Sequence, residues 1–180
     1  MKPLQQGELD CLCGLYAIVN AMRQLARHSK PQRQQVAALF SHLIHATDRR
    51  LNLHEAVTFG IDTAPMVGLC RSAACYTRRH WGMPITVEQP YRHATELAAV
   101  AIHMQERCAA GSVFVVGMWG ANDHWSVCRQ VTDQSLLLFD SMGMHRLPLK
   151  NCTLLMRANS PYATRYGIPR SALIALHPPS

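Results

Sequence analysis

At Gly111 the chain changes period, and no other feature limits its fold as much. Before it, apolar residues recur at three- and four-residue steps, as in Leu15, Ile18, Val19, Met22 and Leu25, then Val36, Leu39, Phe40, Leu43 and Ile44. That is the spacing of a helical face. After it they fall in short runs bounded by turn residues, at 112–118, 124–131, 134–139, 144–147, 152–156 and 172–176, which is the pattern of strands. Helices first and an antiparallel sheet second is the α+β layout. A chain of 180 residues, 48% hydrophobic, has enough length and apolar content for one domain with a real core. The domain therefore spans 1–180, with a helical half over about 1–110 and a β half over about 111–180.

Local punctuation fills in the helical half. His28-Ser29-Lys30-Pro31 ends the first helix, and a second runs from Gln32 to Ala46. The stretch from Asp48 to Gly60 reads as a connection with a short helical piece. A third helix covers Ile61 to Arg79, with Thr63 as its cap and Pro65 in its first turn. Gly82-Met83-Pro84 opens a short strand over Ile85–Glu88, and a fourth helix runs from Thr95, its cap, to Ala109. Towards the other end, Asn159 to Pro169 reads as a polar, turn-rich loop and His177–Ser180 as a frayed tail.

The chemistry is concentrated where polar turn residues meet the first helix, in Gln6-Gly7-Glu8-Leu9-Asp10-Cys11-Leu12-Cys13-Gly14-Leu15-Tyr16. Unpaired N–H groups and the positive end of the helix dipole favour an anion at a helix N-terminus, and the thiolate is the nucleophilic form of cysteine. Such a thiol needs a base. His124 heads the strand that follows the apolar run Val113–Met118 and the loop Trp119-Gly120-Ala121-Asn122-Asp123. Asp140 ends the next strand. The hairpin at Gln130–Gln134 places His124 and Asp140 at the same end of adjacent antiparallel strands, so the chain orders nucleophile, base and orienter as Cys, His and Asp. Cys13 is the preferred nucleophile, although Cys11 competes for the role.

A Gln ahead of a Leu-Cys-Gly step that opens a helix, a His that opens a strand and an Asp one hairpin later resemble the papain-like cysteine peptidases, and more narrowly the bacterial double-glycine (bacteriocin-processing) peptidases. The resemblance implies a papain-like fold, with the nucleophile on the first helix packed against a C-terminal antiparallel sheet. It implies a cysteine protease that cleaves a protein substrate through Cys13, His124 and Asp140, with Gly-Gly as the expected cleavage site. Gln6 becomes the side-chain donor of the oxyanion hole, with Gln5 its competitor, and Trp119 and Trp125 become walls of a substrate cleft. Similarity to papain-like interbacterial effectors extends the expectation to an antibacterial toxin, paired with a cognate immunity protein. Such a protein acts in the cytoplasm, or is delivered into a target-cell cytoplasm by a specialised secretion system. Two alternatives share the residues: a glutamine deamidase or transglutaminase with the same triad, and a non-catalytic binding module.

Composition narrows the remaining classes. The seven cysteines are odd in number, which excludes complete intrachain pairing and points to a reducing compartment. Apolar runs fall short of the roughly 18 residues of a membrane span, and Met1–Gln6 lacks a secretory apolar segment. The net charge of +7 comes from scattered arginines and suits acidic partners. Without a nucleic-acid fingerprint, no nucleic-acid partner is expected. His42 and His45 sit three apart, but with no third ligand at a zinc spacing they imply no metal. No cofactor is expected either, because a thiol mechanism supplies its own nucleophile.

Overall fold

In the computed structural model, Cys13–Leu25 forms the first helix, α1. Its periodicity predicts one buried stripe with Cys13 and Ala17 beside it. In the structure Ala17 is 2% exposed and Cys13 8%, alongside Leu15, Ile18, Val19 and Met22 at 0%. The reason is tertiary: α1 touches the sheet on one side and two other helices on the others, and a helix covered all round is a core helix. The structure describes residues 1–7, 10–121, 123–157 and 160–178. Glu8 and Leu9 of the cysteine segment, Asn122 and Asn159 of the expected loops, and Pro179 and Ser180 of the tail lie outside the described residues.

Helices α2 (Arg33–Asp48), α3 (Leu53–Phe59) and α4 (Thr63–His80) follow. Thr63 is the first helical residue of α4 rather than its cap; Asp62, in an extended conformation, holds that position. Likewise α5 spans Leu97–Ala109 and is capped by Glu96, not Thr95. A potential capping side chain fixes a helix start only to within a residue or two.

Among the described residues eight strands build the sheet: β1 (Thr86–Glu88), β2 (Val113–Gly120), β3 (His124–Val131), β4 (Ser135–Leu138), β5 (Arg146–Pro148), β6 (Cys152–Leu155), β7 (Tyr166–Pro169) and β8 (Leu173–His177). The main path runs β1-β8-β2-β3-β4-β5 with antiparallel neighbours. The fold is thus a mixture of helices and a largely antiparallel sheet, as the change of period predicts. The two halves nevertheless interleave, because β1 leaves the helical half to pair with β8. One strand is new: β7 lies within the expected loop, pairing antiparallel with the end of β2 and parallel with β6.

The helices do not all share one face of the sheet. Along β2, Val113 and Val115 pack into a core with α1, α2 and α4, while Phe114, Val116 and Met118 pack into a second core with Val100 and Met104 of α5. Side chains alternate across a strand, so the unbroken apolar run of β2 requires cover on both sides. Helix α5 provides the second cover.

Candidate active site

Cys13 is the first residue of α1, and Leu12 stands at the cap. Asp10 organises this entry, since its Oδ1 accepts a hydrogen bond from the Leu12 N–H at 3.0 Å. Gly14 follows because space is short: a Cβ there would lie 2.8 Å from Met66 Sδ and 3.6 Å from the Trp125 ring. The small residue brings α1 close to both α4 and β3, and so brings the thiol to the strand that carries the histidine.

His124 opens β3 opposite Met118 of β2, with 4% of its surface exposed. Its Nε2 lies 2.6 Å from Asp140 Oδ2, deep enough to exclude water from the pair. Its Nδ1 is buried and makes no hydrogen bond among the described residues. That nitrogen is free for Cys13, which lines the same cleft. Burial pulls the His124 pKa down, but the hydrogen bond and charge of Asp140, with a contribution from Cys13, outweigh it and raise the pKa from 6.5 to about 9.

Asp140 has two tasks. Its Oδ2 holds His124, while Oδ1 accepts from the N–H groups of Met142 (2.8 Å) and Met144 (3.1 Å) and so closes the turn after β4. Burial would push this carboxyl upward, yet bonding to His124, the His124 charge and the Met144 N–H hold it below the ordinary carboxylate value. A turn-forming Asp and a histidine-orienting Asp are here the same residue.

The other expected residues are distributed unevenly. Gln6 is tied to the turn beside Asp140, donating its backbone N–H to the Ser141 carbonyl at 3.1 Å. Its Nε2 donates to the Asp10 carbonyl, and its buried Oε1 has no partner among the described residues. Gln6 thus sits beside the Asp140 turn but is not among the residues that line the cleft, and Gln5 is exposed. Cys11 is exposed too, with its Sγ donating to the Thr58 carbonyl at 3.2 Å, so it is Cys13 that shares the cleft with His124. Trp119 lines the cleft and meets Trp125 edge to face, with ring centroids 5.8 Å apart at 72°. Trp125 also borders the cleft, but it is 4% exposed and belongs to the core. Its Nε1 donates to the Ile61 carbonyl at 2.7 Å, so its main task is to hold the 60–62 segment in place.

That segment forms the wall that sequence reasoning missed. Phe59, Gly60, Ile61 and Asp62 face Trp119, Asp123 and His124 across a cleft of about 90 Å³. Phe59 is 82% exposed and puts an apolar ring at the border of the cleft. The only local signal was an aromatic residue followed by glycine, which takes φ +88° here. Asp62 and Asp123 bring carboxylates to the cleft; Asp123 Oδ1 also accepts from the Gly120 N–H at 2.9 Å. Gly120 itself requires its residue type. With φ +125°, a Cβ there would fall 2.6 Å from the Arg165 carbonyl and 2.7 Å from Tyr162 Oη, where β7 joins β2.

His42, one of the paired helical histidines, shares a hydrogen bond of 2.9 Å with Ser72 Oγ between α2 and α4. Among the described residues no helix is long and apolar enough to cross a membrane. Comparison with family models, curated proteins and solved structures gives no match.

Proposed function

We propose that this chain is a papain-like cysteine endopeptidase whose nucleophile is Cys13. The observation that carries the reading is the buried His124–Asp140 pair, 2.6 Å apart, which leaves His124 Nδ1 unbonded beside a thiol at the first residue of a helix. Asp140 fixes the imidazole with its free nitrogen towards that thiol.

The chemistry follows from these positions. His124 Nδ1 takes the thiol proton, and the sulfur attacks the carbonyl carbon of a peptide bond. Charge that develops on the oxygen is met by the Cys13 backbone N–H, at the start of α1 where helical donors lack intrahelical partners. Gln6, held on the Ser141 turn beside Asp140, is the second candidate donor. Collapse of the tetrahedral species breaks the C–N bond, and the imidazolium returns its proton to the leaving amine. Water, deprotonated by the same nitrogen, then attacks the thioester, releasing the acid and the thiol. Because the cleft is narrow, residues with little or no side chain fit best beside the scissile carbonyl, which agrees with cleavage after Gly-Gly.

The test is iodoacetamide labelling against pH, with peptide mapping, on wild type and His124→Ala. Rapid labelling of Cys13 well below pH 8 that collapses in the variant supports an activated pair. Slow labelling of Cys13 in both proteins removes the proposal. Mass spectrometry of treated proteins then assigns the reaction: new termini mean proteolysis, whereas a one-dalton gain or a crosslink means side-chain amide chemistry.

A further inference from the structure

A cavity much larger than the cleft lies outside it. It has a volume of about 660 Å³, and Thr63, Gly68, Arg71, Gln89, Arg92 and Ser171 line it. A second cavity, of about 450 Å³, shares Arg71 with it and continues past Arg78 along Ile85, Thr86 and Val87. The two adjoin at Arg71 and together make an arginine-lined channel along α4 and the edge strand β1. Its length follows from α4: Thr63 to Arg78 at 1.5 Å per residue is roughly 22 Å, which matches about six or seven extended residues.

The charge of this channel is one-sided. Among the described residues no Asp or Glu lines either cavity, while Arg71, Arg78 and Arg92 do. Arg50 adds a guanidinium against Gly68, where a Cβ would lie 2.7 Å from its Nη1. None of these arginines forms an ion pair among the described residues. The carboxylate on β1, Glu88, is already held by Arg107 at 2.9 Å and His177 at 3.3 Å. Like-charged side chains gathered without counter-charges lose stability by repulsion, and guanidinium forks match carboxylates two bonds at a time.

Sheet register places the channel mouth near the cleft. His124 pairs with Met118 at the far end of β2, Leu173 at the start of β8 pairs with Val116, and Glu88 pairs with Ala175. Strand ends at His124, Ser171 and Gln89 thus lie along one end of the sheet, and Gln89 Nε2 donates to the Ser171 carbonyl at 2.6 Å there. Helix α4 begins between the two sites. Ile61 and Asp62 line the cleft, and Thr63 and Ala64 line the channel.

We infer that the channel is an exosite for an acidic segment of the polypeptide substrate, seated along β1 with its carboxylates on Arg71, Arg78 and Arg92. This rests on the peptidase reading, since continuity with the cleft is what makes the occupant a polypeptide. Strand β1 suits such an occupant. It has β8 on one side and no strand on the other among the described residues, so its free backbone groups can pair with an extended chain.

The test separates binding from chemistry by using the full-length Cys13→Ala chain. The probe is a fluorescein-labelled Glu/Gly peptide of about eight residues, read by anisotropy against its Gln/Gly counterpart. The Glu peptide is expected to bind at least about tenfold tighter, an advantage that shrinks as salt rises. Arg71→Gln/Arg92→Gln is expected to abolish the difference, and Arg71→Lys/Arg92→Lys to restore part of it. Arg33→Gln/Arg129→Gln removes the same charge from exposed positions outside the channel and should leave it intact. Equal binding of the two peptides overturns the exosite. So does an equal loss in the Arg33/Arg129 variant, which would show attraction by net charge alone, or displacement of the Glu peptide by single-stranded oligonucleotide that binds far tighter. If the Gln pair fails to fold, the Lys pair against wild type still decides. Charge-selective binding with an unreactive Cys13 would retain an acidic-peptide site and discard the peptidase, whereas a reactive Cys13 with no selectivity would do the reverse.

Discussion

The cleft and the channel meet at the first turn of α4, yet they are built on opposite terms. The cleft is small, about 90 Å³, walled by Trp119, Phe59 and Ile61, with Asp62 and Asp123 at its border. The channel is several times larger and lined by arginines. One site is small and brings a thiol and a histidine together; the other has room and positive charge. The contrast teaches that the net charge of +7 describes neither site. Arg71, Arg78 and Arg92 line the channel, whereas the charged side chains that border the cleft with Cys13 and His124 are the carboxylates of Asp62 and Asp123.

Removing the sulfur should produce the largest effect. Cys13→Ala is expected to reduce turnover by about 10⁶-fold, the scale seen when a nucleophile is lost, while Cys11→Ala leaves it within a few-fold. A reversed result in a hydrolysis assay of the two variants would move the reactive centre out of the cleft. Next is Asp140→Asn, expected to cost about 10⁴-fold in kcat by releasing the imidazole from its orientation. The substitution also removes an anion that closes the 140–144 turn, so the melting temperature should fall with activity. A kinetic loss without a thermal one would separate the two tasks assigned to this residue.

Gln6→Ala is expected to slow turnover by about 10² to 10³-fold with KM little changed; an effect confined to stability would leave Gln6 as a tether for the Ser141 turn. The pH dependence follows from the buried pair. His124 titrates at about 9 in the folded chain against 6.5 ordinarily. Its pairing therefore contributes fully to stability below about 6.5, and that contribution disappears as pH rises through 9. Asp140 is depressed, so its contribution is present above its ordinary 3.8 and lost as pH falls through its lower folded value. Activity should decline on an alkaline limb near pH 9 as the imidazolium loses the proton owed to the leaving amine, while alkylation of Cys13 persists. A limb near 6.5 would contradict the buried ion pair. The smallest change expected is in Phe59→Ala, a several-fold rise in KM with kcat preserved, because this exposed ring would contact substrate without touching the reacting atoms.

What could be read in the sequence was what depends on neighbours along the chain. The start of α1 at Cys13, the strand headed by His124 and the hairpin leading to Asp140 all follow from period and punctuation, and they suffice to bring His124 and Asp140 together. Long-range pairing left no such mark. Strand β7 carries Gly167 and Pro169, residues that strands avoid, and it forms because the end of β2 and β6 accept it as a neighbour. Ala17 is buried by helices that pack against it, not by its place in a stripe. The Phe59–Asp62 wall is set by Trp125, which bonds to a carbonyl 64 residues away. Even the move of α5 to the second face was hidden, although the uninterrupted Val113–Met118 run contained the reason for it.

Strand β8 supplies the order of events in assembly. It is the last strand of the described chain, yet it lies between β1 and β2, and its residues enter both cores: Ile174 and Leu176 one, Leu173 and Ala175 the other. A ribosome extends a chain at about 5 to 20 residues per second, so helices and the β3–β4 hairpin can form while the middle of the sheet is still missing. Neither core can close until 173–177 has emerged, and pairing so distant in sequence is intrinsically slow. Cys13, His124 and Asp140 are all made before the strand that joins β1 to β2, so the sheet that holds them in register closes only after they have left the ribosome.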